Sequence, residues 1–193
     1  MTTPMTYDEV RDKVKNGDIV YLWTPPLGQW NNWRAIIFPL VKFFTGSPIY
    51  HCGVAIWMDQ PNGTKRLMLV ESNLQGGKKV LPLSYYAPRK MEIHALPEAY
   101  SFEHMETPLM ANIGTQPYSM LAFLGVGVRE YFGLPARDYA GQICSELCAQ
   151  AWIDAGAPLI ETLVSPGKLH GQIIKLGIPI TYTTIPYDGV RQD

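Results

Sequence analysis

The chain carries no surplus of charge, no block of like charge and no apolar run long enough to cross a bilayer. Its 16 Lys and Arg face 17 Asp and Glu, for a net charge of -1. Neither nucleic acid nor an anionic membrane is therefore expected as its main partner. The longest apolar runs, Ala35–Leu40 and Leu121–Val128, fall well short of the roughly 20 residues of a transmembrane helix. Cysteine is scarce: Cys52, Cys144 and Cys148 form an odd set of three. That count argues against a disulfide framework, leaves at least one thiol free and suits a reducing compartment. The opening residues lack a basic segment followed by an apolar one, so no secretory signal is expected. A soluble cytoplasmic protein follows, or a virion-associated one released by lysis if phage-encoded. Internal repeats, low-complexity tracts and composition breaks are also missing, which predicts a single domain over 1–193.

What the chain does have is a core. Of its 193 residues 47% are hydrophobic and 17% charged. Thr6 caps a helix predicted over Tyr7–Asn16, which stops at Asn16-Gly17. β-branched and aromatic content predicts strands at Asp18–Trp23, Ile49–Trp57 and Arg66–Ser72, the last two joined by a Gln60-Pro-Asn-Gly-Thr turn. Weaker strands are predicted at Lys79–Leu83, Lys90–Leu96 and Ile178–Ile185. Helical spacing marks Trp30–Phe44, with Pro39 interrupting it, then Tyr118–Phe132, Cys144–Ala155 and a helix opened by Ser165-Pro-Gly. Glu98–Asn112 reads as mixed loop and helix. Strands first and helices after indicate an α+β domain with an antiparallel sheet.

Three side chains stand out chemically. Cys144 falls in the first turn of a predicted helix, where backbone N–H groups and the helix dipole stabilise a thiolate and can supply one arm of an oxyanion hole. His51 lies within a strand, and alternation sends it to the face opposite Cys52, together with Ile49, Gly53, Ala55 and Trp57. Gly53 and Ala55 leave room there for another element to approach. Glu71 ends the apolar strand expected to pair with the His51 strand, where its carboxylate would fix the imidazole tautomer. Each residue alone has an ordinary explanation: a buried inert thiol, a hydrogen-bonded structural histidine, a strand-end charge in solvent. Together they fit nucleophile, base and orienting acid.

In order, Gly17-Asp-Ile-Val, Thr45-Gly-Ser-Pro-Ile-Tyr-His-Cys-Gly-Val-Ala-Ile, Val70-Glu-Ser, Ile143-Cys-Ser-Glu-Leu and Ser165-Pro-Gly-Lys-Leu resemble the permuted papain-like hydrolases of the NlpC superfamily, in particular its YiiX/YaeF-like group. The matches extend from Gly17 to Leu169, and their shared order makes the resemblance specific. It implies a circularly permuted papain-like fold, an antiparallel sheet packed against a helix that carries the nucleophile. It implies a Cys144-His51-Glu71 triad, with the chain order His, acid, Cys. It also implies a thiol hydrolase of peptidase or amidase type, acting on peptides, peptidoglycan stems or acylated small molecules. Relatives often have an aromatic residue before the cysteine; this chain has Ile143, with Tyr139 upstream. Tyr21, Tyr50 and Gln142 are then the candidates for a second oxyanion donor.

Cys148 follows Cys144 by one helical turn. That spacing is not the paired-turn spacing of structural zinc, so neither metal nor cofactor is expected, and Cys148 and Cys52 read as small core residues. Trp23, with Trp30 and Trp33, either lines a substrate groove or caps the core. The Ile36–Phe44 stretch reads as a core helix rather than a lipid contact. His94, His104 and His170 show no partner pattern and read as structural or exposed. Two other classes suit the same residues: a binding or structural module, such as a virion component, that keeps the fold without catalysis, and an acyltransferase that uses the triad with water excluded.

Overall fold

The computed structural model describes residues 3–24, 42–43, 45–74, 76–132, 141–159 and 161–186. Its elements run α1 (Tyr7–Arg11), β1 (Ile19–Trp23), β2 (Ile49–Asp59), β3 (Lys65–Asn73), β4 (Gly77–Pro82), a 3-10 turn (Leu83–Tyr86), β5 (Met91–His94), α2 (Phe102–Met110), α3 (Met120–Phe132), α4 (Cys144–Asp154), α5 (Pro166–Lys175) and β6 (Tyr182–Thr183). The strands form a six-stranded sheet in the order β4-β3-β2-β1-β5-β6, every neighbouring pair antiparallel. The fold class is α+β, as the sequence predicts. The helix expected over Trp30–Phe44 lies outside the described residues apart from a helical turn at Lys42–Phe43, as do Tyr139, Trp30 and Trp33.

Period-2 alternation divides the sheet's side chains between two cores. On one face Ile19, Tyr21, Cys52, Val54, Ile56 and Val70 pack under α2, α4 and α5 against Met105, Leu147, Cys148, Trp152, Leu169 and Ile173. On the other, Val20, Leu22, Ala55, Leu67, Leu69, Met91 and Ile93 meet Val10, Val14, Leu83 and Tyr86. Trp152 anchors α4: it is wholly buried, and its Nε1 donates to the Gly17 carbonyl at 2.9 Å. A buried side chain of this size contributes on the order of 3 kcal/mol through its apolar area.

Four elements differ from expectation. The first helix ends at Arg11 rather than Asn16, because Asp18 accepts from the Lys15 N–H at 2.9 Å and folds residues 15–18 into a turn through Gly17, at φ +90°. The α3 helix starts at Met120, not Tyr118: Ser119 accepts from the Ala122 N–H, while Tyr118 forms a β-bridge with Gln142. The last strand shrinks to Tyr182–Thr183 because Pro179, within the predicted strand, has no N–H to give to a ladder. On β2 the register passes from Leu22↔His51 to Trp23↔Ile49, leaving Tyr50 unopposed. This bulge reverses the parity, so Ile49 packs with Cys52 and Val54 instead of with Ala55. Among the described residues, no helix is long and apolar enough to cross a membrane.

Candidate active site

The site forms where β2 and β3 part. Their ladder runs from Asp59↔Lys65 to Val54↔Val70 and stops, while β3 keeps pairing with β4 as far as Asn73↔Gly77. Gly53 stands at the fork. A Cβ there would lie 2.7 Å from Leu69 Cγ and 2.8 Å from the Val70 carbonyl oxygen, so no larger residue fits. The close neighbour expected beside His51 is therefore β3 itself.

Helix α4 delivers its first residue, Cys144, to this fork. The N-cap position belongs to Ile143, which offers no side-chain acceptor. Such a cap costs about 1 kcal/mol against Ser or Asp, but it leaves first-turn N–H groups free to face an anion. Glu146 accepts from the Ile143 N–H at 3.3 Å, and the Ser145 hydroxyl donates to the Val164 carbonyl, so the helix start is held from both sides. Ser72, the residue after Glu71, donates to the Gln142 carbonyl at 2.7 Å. That one bond fixes the acid-bearing strand against the entry to the cysteine helix.

His51 is 8% exposed, and its Nε2 lies 2.8 Å from Glu71 Oε2. With Nε2 committed, Nδ1 is left for Cys144, and the two groups shift one another's pKa. Glu71 is fully buried, which removes the reading of a strand-end charge in solvent. Tyr86 donates to the same Oε2 at 2.5 Å; Asn73 Nδ2 donates to Oε1 at 2.5 Å, with Lys79 Nζ 3.7 Å from that oxygen. Both oxygens of the carboxylate are thus hydrogen-bonded, with a cation nearby, as a buried anion requires.

The electrostatics follow from these contacts. A hydrogen bond from the Cys52 thiol holds Cys144 well below its ordinary pKa; burial opposes this, and His51 and the Cys52 backbone N–H reinforce it. Burial alone would depress His51, but Cys144 and Glu71 outweigh it and hold the imidazole well above its usual value. Burial would raise Glu71, yet His51, Tyr86 and Lys79 keep it below the usual carboxylate range. Burial pushes the Cys52 thiol up, so it stays protonated and donates. These shifts all favour a thiolate–imidazolium pair backed by a carboxylate.

The structure brings the three triad residues together. Of the oxyanion candidates, Tyr50 stacks beside His51 with centroids 6.1 Å apart, and its hydroxyl is bonded to Arg89. Gln142 lies beside Cys144 with its Oε1 buried and without a partner among the described residues. Tyr21 is wholly buried beneath the helices, edge-on to His94 and His170; its hydroxyl has no partner among the described residues, and burial, with Cys52, Cys148 and Cys144, raises its pKa. Trp23 is half-buried, with Lys90 Nζ 3.3 Å from its ring centroid. His104 is exposed, whereas His94 is fully buried and His170 lies 3.2 Å from Glu92. Cys148 is a core residue as expected. Cys52 is equally buried but also lowers the pKa of Cys144, because the partly opened sheet leaves its N–H facing the fork.

Sequence reasoning missed Tyr86, Asn73, Lys79, Cys52 and Tyr118 as members of the site. Asn73 had a signal, since it follows Glu71 by two and shares its strand face. Tyr118 had none. Its backbone bridges to Gln142, two residues before Cys144, and burial, with Cys144 and Cys52, raises its hydroxyl pKa, so it stays protonated. A surface groove of about 960 Å³, lined by residues including Val14, Trp57, Lys65, Tyr100 and Phe102, opens at the far end of β2 and holds none of this chemistry. Among the described residues, no group of three or more His, Cys, Asp or Glu is arranged to hold a metal. No protein-family model matches the chain, and no curated protein matches it.

Proposed function

We propose that this chain is a cysteine hydrolase of peptidase or amidase type with a circularly permuted papain-like fold. The observation that carries this reading is Cys144 in the first turn of α4, electrostatically coupled to an imidazole whose Nε2 meets a buried carboxylate at 2.8 Å. The chain order His, acid, Cys and the packing of the cysteine helix on an antiparallel sheet support the permuted fold.

In the proposed reaction the Cys144 thiolate attacks an amide or ester carbonyl. The developing oxyanion is received by the Cys144 backbone N–H and the Tyr118 hydroxyl. His51 gives its proton to the leaving amine or alcohol, and an acyl-enzyme forms. The neutral His51 then takes a proton from water, whose hydroxide releases the acid and restores the thiolate beside a protonated His51. Glu71 stays ionised throughout and holds His51 in one tautomer. Peptides, peptidoglycan stems and acylated small molecules are the proposed substrate classes. Arg89 lies over the Tyr50 ring and Lys90 over the Trp23 ring.

A chloroacetamide or epoxide probe tests the reading. Labelling is expected at pH 7, lost in Cys144→Ala and retained in Cys148→Ala. Equal labelling of both variants, or none in the unmodified protein, counts against a nucleophilic Cys144.

A further inference from the structure

We infer that Cys52 is a resolving thiol: peroxide oxidation of Cys144 closes a Cys52–Cys144 disulfide that reversibly silences the site. This rests on the reading of Cys144 as a reactive thiolate, but not on any substrate.

The three cysteines are free, buried and members of one core cluster. Cys52, on β2 beneath α4, interacts electrostatically with both of the other thiols. The Cys52 backbone N–H also helps to lower the pKa of Cys144. Ala55 exchanges its backbone bonds with Gly17 and Asp18 on the β1 side, so alternation turns the Cys52 N–H the other way, towards the fork where β3 has left the ladder. Cys144 enters the same fork from the first turn of α4, so the two thiols converge there from facing elements, as a disulfide with α-carbons about 4.4–6.8 Å apart requires. Cys148 is the poorer partner for Cys144. Residues four apart on one helix hold their Cβ atoms about 5–6 Å apart, whereas a disulfide needs about 3.5–4.5 Å.

The chemistry balances with a peroxide as oxidant. The Cys144 thiolate attacks one peroxide oxygen; the O–O bond breaks, and the departing oxygen takes the His51 proton to leave as water or an alcohol. Cys144 is now a sulfenic acid. The neutral His51 removes the proton from Cys52. The Cys52 sulfur attacks the Cys144 sulfur, and the hydroxide released takes that proton to become water. Two thiols and one peroxide give one disulfide and two hydroxyl products. Without a resolving thiol, sulfenic acid proceeds to sulfinic acid, which dithiothreitol does not reverse.

The test treats the full chain with one to ten equivalents of hydrogen peroxide, quenches with iodoacetamide and maps the cysteines by mass spectrometry without reduction. A Cys52–Cys144 peptide pair is expected, with probe labelling of Cys144 lost and at least nine-tenths recovered by dithiothreitol. Cys148→Ser keeps the bridge. Cys52→Ser, checked for folding by circular dichroism, loses both the bridge and the recovery and accumulates Cys144 sulfinic acid. Cys144 going directly to sulfinic acid in the unmodified protein, or a bridge formed between Cys52 and Cys148, overturns the inference. A Cys144 that alkylates normally yet forms no bridge sinks the resolving role alone; a Cys144 that neither alkylates nor oxidises sinks the nucleophile reading with it.

Discussion

Glu71→Gln removes the negative charge behind His51 while keeping the side chain's size. The contact of 2.8 Å sets the charge centres about 4 Å apart, and at an effective dielectric of about 20 such a pair interacts by about 4 kcal/mol. The amide oxygen still accepts one hydrogen bond, worth about 1 kcal/mol. The remaining 3 kcal/mol or so corresponds to a fall of about 2 units in the imidazolium pKa. Cys144 and His51 titrate as a coupled pair, the thiol on the acid limb and the imidazolium on the alkaline limb. The imidazolium is present on both sides of the thiol's ionisation, so Glu71→Gln leaves the acid limb nearly still. It moves the alkaline limb about 2 units towards neutrality.

Imidazole ¹⁵N shifts followed against pH read this directly. The chain has four histidines, and loss of one signal in His51→Gln assigns the relevant ring. Alkylation by iodoacetate gives a second reading, because the anionic reagent is drawn by the imidazolium and slows above the same limb. Tyr86→Phe supplies a control of opposite sign. It leaves the Glu71 charge but strips one donor from Oε2, so the carboxylate binds the imidazolium more tightly and the limb moves up. An alkaline limb that shifts by less than half a unit in Glu71→Gln, or moves the same way in both variants, refutes the placement of Glu71 as the acid that holds His51.

Tyr118→Phe is expected to slow acylation of Cys144 by an activated ester such as p-nitrophenyl acetate by about 10²–10³-fold, the usual loss on removing one oxyanion donor. Alkylation by iodoacetamide, which develops no oxyanion, stays within a few-fold; equal slowing of both reactions points to misplacement of the thiol instead. Stability against acid depends on two opposed buried groups. Burial raises Asp18 to about 6, so its folded form binds a proton that the unfolded form lacks, and this adds stability as the pH falls through 6. Burial lowers His94 to about 4, so the unfolded form binds the extra proton, and stability is lost as the pH falls from 6.5 towards 4. In a Cys144→Ala background, which removes the thiol's own titration, the two offset each other between pH 6 and 4.5. Adding Asp18→Asn leaves only the His94 loss, about 2 kcal/mol over that interval at 1.36 kcal/mol per unit, measured by urea denaturation. A stability that stays flat in the double variant contradicts this.

The sequence was most readable where the signal is local. All six strands carry β-branched or alternating residues, and α4 starts at Cys144 as expected, closed by Gly156. His51, Glu71 and Cys144 were legible because each stands at a recognisable position on its own element. The support around them was not. Tyr86 reaches Glu71 from a 3-10 turn 15 residues on, and Lys79 reaches it from the opposite position on β4; no local pattern marks either. The bulge at Tyr50 lacks the glycine that often announces one, so strict alternation misplaced Ile49. The His94, His170 and Glu92 cluster is brought together by β5 and α5, which are far apart in the chain.

The cost of this site argues for its use. A hydrophobic core gains nothing from a fully buried glutamate, an imidazolium and a thiolate, and well-packed apolar residues in the place of buried ions are often neutral or stabilising. Here the ladder between β2 and β3 is given up at the fork, a side-chain N-cap is missing at Ile143, and Tyr86, Asn73, Lys79 and Ser72 are drawn in to satisfy or brace what that leaves exposed. Each concession weakens the fold by itself, and each faces Cys144 or the acid behind its base. A merely structural sheet has no reason to concentrate its losses at one sulfur; a nucleophile held as a thiolate in a dry setting requires all of them at once.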